Sequence, residues 1–331
     1  MHALAGASPI SAFALVAALA GAVSTPVDAA GDSGPRLEAP AAPQPERGRA
    51  TDFTSARTLI ELRKSYGDDV DLAGYAAVNV IVPGSGMLLD GETSRGLVYA
   101  GLGASLLAGA LIANAQPRGE SFRNNCLILY QNLGFLAAWD GYYRGLGQRS
   151  ERAAEALGQR PSLKFYILSS FDRESLSSWE WGLPTGVAAA LGAADVTADS
   201  DARPPGVGST LGVESLILVQ SMLVGAGEEL LFRGVVLPEL AVRLGSDRKA
   251  LATQALAFGL AHVTPDATAE ENAIHVGFAT AFGLYAGWVA LDRPHGLRKA
   301  IAMHAWWDAL VFSADYLRDG RVDPIVVRVR F

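Results

Sequence analysis

Apolar residues fall in helix-sized blocks separated by short polar or Gly/Pro breaks. In chain order the blocks are 72–89, 97–114, 126–142, 181–196, 210–224, 250–263, 274–291 and 300–314. They predict an all-α fold, a polytopic transmembrane helical bundle with roughly seven or eight apolar segments. Several blocks are shorter than the roughly 20 residues of a membrane span. They extend into flanking polar residues, as helices facing an internal cavity would. The block 72–89 is interrupted by Pro83-Gly84-Ser85-Gly86. That break predicts a kinked or re-entrant helix, tolerated only where protein or water satisfies the exposed backbone. The block 126–142 ends in Trp139, Tyr142 and Tyr143, residues suited to a membrane interface.

The flanks read differently. Residues 10–23 form an apolar run of signal-peptide length, and Ala20 with Ala22, or Val27 with Ala29, would suit a signal peptidase. Residues 1–30 therefore read as a signal peptide or an N-terminal anchor, although no Lys or Arg precedes the run. Residues 31–50 are rich in Pro, Ala and Gly and read as a linker. Thr51 to Tyr66 predicts a short amphipathic helix with Leu59, Ile60 and Leu62 on its apolar part and Arg57, Arg63 and Lys64 on its basic part. It would lie on a membrane surface or pack on the bundle. At the other end, residues 325–331 suggest a short strand.

Composition reinforces the membrane reading. Of 331 residues, 18% are charged, against about 25% in soluble domains. Mean hydropathy is +0.21. The net charge of -7 and the lack of a basic domain argue against nucleic acid as a partner. The single cysteine, Cys126, excludes an intrachain disulfide and reads as a packed thiol. There is no internal repeat, phosphate-binding loop or dinucleotide fingerprint. Basic loops (144–180, 243–249, 293–299) alternate with acidic ones (197–208, 264–273). By the positive-inside rule the basic loops face the cytoplasm, which in a bacterium makes this an inner-membrane protein. Arg318 and Arg321 in the tail fall on the other side and run against that count.

Against this apolar background a few ionisable residues stand out. Glu228, Glu229 and Arg233 follow the apolar run 210–224, with Gly225, Gly227 and Gly234 around them. Charges in such surroundings are costly unless paired, neutralised or facing a wet cavity. Glu229 and Arg233 are four residues apart with the acid first, the order that favours a helical ion pair. Glu228 is turned about 100° from Glu229, so it points elsewhere. The glycines allow neighbouring helices or backbone to approach closely. Phe258 and His262 share a face of one apolar helix, and His304 and Asp308 share a face of another. Each feature alone has an ordinary structural reading: a clamp, a core histidine, a hydrogen-bonded pair. Trp306 and Trp307 read as packing or interface residues, and His275 and His295 as loop-edge residues. Together, three apolar helices bring titratable groups into one region, the pattern of an intramembrane functional site.

In type and order, Glu228-Glu229-x-x-x-Arg233, Phe258-x-x-x-His262 and His304-x-x-x-Asp308 resemble the CPBP family of intramembrane glutamic endopeptidases. That family includes the eukaryotic CAAX prenyl endopeptidase and bacterial proteins of bacteriocin processing and immunity. The resemblance covers residues 180–315. It implies peptide-bond hydrolysis with Glu228 as general base, His262 orienting water and passing protons, and His304 with residue 308 stabilising the oxyanion. Glu229, Arg233 and Phe258 would support the site. Many members carry an amide where this chain has Asp308. An ionised Asp cannot donate a hydrogen bond, so Asp308 is expected to act one step back, orienting and charging His304.

The resemblance divides the chain into a signal or anchor (1–30), a linker with the amphipathic helix (31–71), an N-terminal membrane region (72–175), a protease core (176–316) and a tail (317–331). It implies a membrane-protein or lipidated-peptide substrate and the lipid bilayer as partners, and no cofactor. A zinc site built from two His and one Glu is the nearest alternative chemistry. A non-catalytic membrane scaffold or immunity-type protein on the same fold, and a proton-coupled transporter, are the alternative functions.

Overall fold

The polar breaks in the sequence become the ends of helices. The computed structural model describes residues 53–64, 72–116, 120–149, 162–198, 207–264 and 267–319. The signal or anchor, the linker up to residue 52 and the terminal strand lie outside them. The helices are α1 (Ala56–Lys64), α2 (Leu72–Ile81), α3 (Ser85–Leu89), α4 (Thr93–Asn114), α5 (Glu120–Arg149), α6 (Leu163–Ile167), α7 (Arg173–Leu176), α8 (Trp179–Ala198), α9 (Val207–Leu231), α10 (Leu237–Leu244), α11 (Asp247–Leu260), α12 (Ala269–Asp292) and α13 (Gly296–Asp319). A 3-10 turn, Leu168–Phe171, links α6 to α7, and a π turn, Phe232–Val236, links α9 to α10. The described residues contain no strand.

Among the described residues, three helical stretches are long and apolar enough to cross a membrane: Thr93–Asn114, Leu211–Leu244 and Ala269–Asp292. The protein is an integral membrane protein; of the seven or eight apolar segments expected, these three meet the length and hydropathy of a span. The others fail it for local reasons. Helix α11 has only 14 residues, and α13 carries Arg298, Lys299, Asp308, Asp315 and Arg318 along its length.

Local chemistry sets the boundaries. Thr268 and Glu271 form a reciprocal capping box at the start of α12. Ser246 caps α11 by accepting from the Lys249 N–H. The break at Pro83–Gly84 is present, and Gly84 takes a left-handed φ of 87°. A side chain there would also run into the Gly96 carbonyl, so the re-entrant turn needs glycine. Pro184 lies inside α8 and has no N–H to return to the Glu180 carbonyl. The Tyr285 hydroxyl donates to that carbonyl instead, at 3.1 Å.

Helix α9 is the axis of the bundle, packed on α13 and on α5, while α8 packs on α13 and α11 on α12. Glycines set the closest approaches, as their positions beside the charged motif led one to expect. Gly225 sits where a Cβ would lie 2.7 Å from the Ala305 nitrogen and 3.0 Å from its Cα. Gly227 meets Asn132 and Gly234 meets Trp139 in the same way. Gly225→Val is therefore expected to cost ~1–3 kcal/mol, because backbone on α13 cannot yield as a side-chain tip could. Thermal unfolding in detergent would show a fall of several degrees. Gly277→Val, at a position with open space around it, should show almost none.

Several sequence-based expectations are corrected. Trp139, Tyr142 and Tyr143 do not line a membrane interface. All three are fully buried in the main core with Phe135, Tyr166, Leu230 and Phe232. Helix α1 buries Ala56, Leu59, Ile60 and Arg63 and packs on α10, so its apolar face is spent inside the protein. The stretch 144–180 is not simply a polar loop: α5 runs through Arg149, and residues 163–176 form short helices against α13. His275 lies within α12 rather than at a loop edge.

The basic turn after α12 is matched by acids. Arg293 and Lys299 meet Glu180, His295 meets Glu174, and Arg298 meets Asp172 at 2.7 Å. Burial opposes charge on Asp172, but the Ser175 N–H and Arg298 hold its carboxyl below the usual range.

Candidate active site

The two glutamates end α9, and the chain opens into the π turn directly after them. The cause is in the sequence. Gly234 would accept the N–H of residue 238 in an α-helix, but residue 238 is proline. Single π turns inside α-helices are frequent at functional sites. The Gly234 carbonyl is taken by the Tyr143 hydroxyl of α5.

Glu229 and Arg233 form the ion pair expected from their spacing, with Nη1 2.9 Å from Oε1 and both side chains at 0% exposure. Arg233 also donates to the Gly283 carbonyl of α12 at 3.3 Å, and its guanidinium lies 4.5 Å above the Phe258 ring. Gln254 of α11 donates to that same carbonyl at 3.1 Å. The pair thus ties α9 to α11 and α12.

The same Glu229 Oε1 meets His304 Nδ1 at 2.8 Å. The ring nitrogen donates and the carboxylate accepts, which fixes the ring's orientation. Its other nitrogen, Nε2, lies 3.7 Å from Asp308 Oδ2 and 3.9 Å from Glu228 Oε2. Glu229, on another helix, thus holds Nδ1, while Asp308 faces the opposite nitrogen. Phe258 and Phe282 pack against the imidazole with centroids 5.9 and 5.2 Å away.

Glu228 differs from its neighbour. Its side chain keeps 15% exposure against 0% for Glu229, while one oxygen of each, Oε2, has no hydrogen-bond partner. It is the carboxylate of the two that is in no ion pair with Arg233. His262 donates from Nδ1 to its own Phe258 carbonyl at 2.7 Å, leaving Nε2 as an acceptor. Phe258 packs on the His262 ring, 4.7 Å between centroids. Glu228, Glu229, His262 and His304 all act electrostatically on Asp308. The residues singled out in the sequence on α9, α11 and α13 therefore converge in one place.

Some contributors were not foreseen. The Gly283 carbonyl, Gln254, Phe282 and Tyr143 carry no motif. Only Tyr143 had a sequence signal, the proline four residues after Gly234. Among the described residues, no three His, Cys, Asp or Glu side chains are grouped so as to hold a metal ion.

Residues 211–310 match the family described as Rce1-like, type II CAAX prenyl endopeptidase. The match spans all three motifs, and it supports the CPBP/CAAX protease resemblance drawn from them. No curated protein matches the chain, and no solved structure does.

Proposed function

We propose, taking the CAAX endopeptidase match over residues 211–310 as premise, that the protein is an intramembrane endopeptidase. It hydrolyses a peptide bond of a membrane-associated substrate with glutamate-activated water. The observation that carries this reading is His304 held between two inequivalent glutamates, Nδ1 fixed by Glu229 and Nε2 turned toward Glu228 and Asp308. A structural clamp would need only the Glu229–Arg233 pair. Glu228 takes no part in that pair, and its nearest basic atom is His304 Nε2 at 3.9 Å.

In the proposed reaction, water adds through its oxygen to the scissile carbonyl carbon as Glu228 takes its proton. A carboxylate stripped of water is a better base near neutral pH. His262 Nε2 accepts a hydrogen bond from the water and aims it. The carbonyl oxygen becomes an oxyanion and accepts a hydrogen bond from His304 Nε2–H when that ring carries both protons. A preorganised donor there is worth on the order of 3 kcal/mol. The C–N bond then breaks, and the proton held by Glu228 passes to the leaving amine.

His304 lies eight positions beyond Gly296, so about 12 Å of helix separates it from the basic turn. In this reading the basic loops face the cytoplasm of a bacterial inner membrane, and the site lies nearer that side. The substrate is a membrane protein or a lipidated peptide whose cleavage site enters from there.

Cleavage of candidate membrane peptides by purified protein, wild type against Glu228→Ala, tests the reading. Equal cleavage by both would overturn it. Asp308→Asn provides a second measurement. Because Glu229 holds the imidazole, the variant is expected to stay within ~10-fold of wild type; near-complete loss would give Asp308 a direct part in the chemistry.

A further inference from the structure

We propose that Tyr143, on a helix outside the matched segment, is a positioning residue for the Glu229–His304 arm of the site and acts through the π turn. The inference rests on the proposed hydrolytic site. Its support is a chain of contacts. Pro238 leaves the Gly234 carbonyl without an α-helical donor. The Tyr143 hydroxyl donates to that carbonyl, and the indole of Trp139 covers the glycine so closely that a Cβ would lie 2.7 Å from Cδ1. The residue just before Gly234 is Arg233, whose guanidinium grips the same Glu229 oxygen that orients His304.

A π turn inserts one residue into the helical register and turns everything beyond it by about 100°. π turns are rare beside α-helix, and here contacts from other helices flank this one. On one side it is held by Tyr143. On the other, Glu239 in the first turn of α10 accepts from Tyr142 Oη at 2.6 Å and from Arg63 Nε at 2.6 Å. Both acceptors fall within six residues beyond Arg233, and three of the holding side chains come from α5. If the Tyr143 bond is lost, the Gly234 carbonyl loses the donor that α5 supplies. The turn then shifts to find one, and Arg233 and Glu229 move with it. A misplacement of an ångström at a reacting group can cost ~100-fold in rate.

Tyr143→Phe removes only the hydroxyl. Tyr130→Phe is the matched control, because its hydroxyl also bonds a backbone carbonyl on another helix, Ile81 at 2.8 Å, away from the π turn. Full-length protein is assayed for kcat and KM on a cleaved membrane peptide, for Tm, and by 15N NMR of the histidine rings, with the His304 signal identified by its loss in His304→Gln. Tyr143→Phe is expected to lower kcat by on the order of 10-fold at unchanged KM and to move the His304 ring resonances. Tyr130→Phe should change neither. A Tyr143→Phe protein with lower Tm but wild-type kcat and wild-type His304 signals would overturn the proposal and leave a purely structural tyrosine. The NMR comparison does not depend on turnover. If no peptide is cleaved by any form, the hydrolytic reading fails separately while the ring signals still decide whether Tyr143 positions His304.

Discussion

Glu228→Gln is expected to abolish peptide cleavage while leaving a folded protein with nearly wild-type Tm. Removing a general base typically costs ~100- to 10,000-fold, and the amide cannot take a proton from water. Stability should survive because Glu228 is in no buried ion pair within hydrogen-bonding distance: its nearest cationic candidate is His304 Nε2 at 3.9 Å, and its Oε2 is unpartnered. The contrast is with its neighbour. Glu229→Gln would weaken both the Arg233 pair and the His304 hydrogen bond, so it should lower activity and Tm together. Two adjacent carboxylates thus give opposite signatures, one catalytic and one mixed. The paired measurement is cleavage rate against thermal unfolding for each variant. If Glu228→Gln cleaves at the wild-type rate, Glu228 is not the base. If it unfolds as Glu229→Gln does, the division of roles between the two glutamates is wrong.

What the sequence made legible was local. Four-residue spacing with the acid first was enough to foresee the Glu229–Arg233 pair, because that contact lies within one helix. The 100° turn between neighbours was enough to separate Glu228 from Glu229. Proline and glycine at 83–84 announced the break between α2 and α3. What remained hidden was set by packing between helices. Nothing in the spacing of Glu229 and His304, 75 residues apart, says that an imidazole would choose that oxygen over Asp308 on its own helix. In an α-helix, His304 and Asp308 stack on one face, and here Nε2 lies 3.7 Å from Asp308 while Nδ1 goes to the neighbouring helix's Glu229. Trp139, Tyr142 and Tyr143 misled for a related reason. Amphipathic rings at the end of an apolar block are as useful in a buried core, where the Tyr142 and Tyr143 hydroxyls reach Glu239 and the Gly234 carbonyl, as at a lipid surface. Only the position of α9 alongside α5 shows which. Helix α1 has the same ambiguity: its apolar stripe cannot say whether lipid or α10 will cover it.

Replacing Arg233 should have the largest effect on stability, and a double variant can separate that effect from catalysis. Arg233→Met keeps most of the side-chain volume but leaves the fully buried Glu229 without its guanidinium partner. Breaking one side of a buried ion pair typically costs ~3–5 kcal/mol, and the Gly283 carbonyl and the contact with the Phe258 ring would lose a donor as well. His304 remains beside Glu229, so part of that charge stays compensated and the lower end of the range is the expected value. Adding Glu229→Leu removes the orphaned carboxylate, and replacing both partners of a buried pair by apolar groups is often neutral. The double variant should therefore recover most of the lost Tm. It should not recover cleavage, because His304 Nδ1 then has no acceptor to fix the ring. Thermal unfolding and turnover measured on wild type, both single variants and the double variant complete the cycle. A single Arg233→Met variant with wild-type Tm would show that the pair does not clamp the bundle. A double variant that cleaves at the wild-type rate would show that Glu229 does not orient His304.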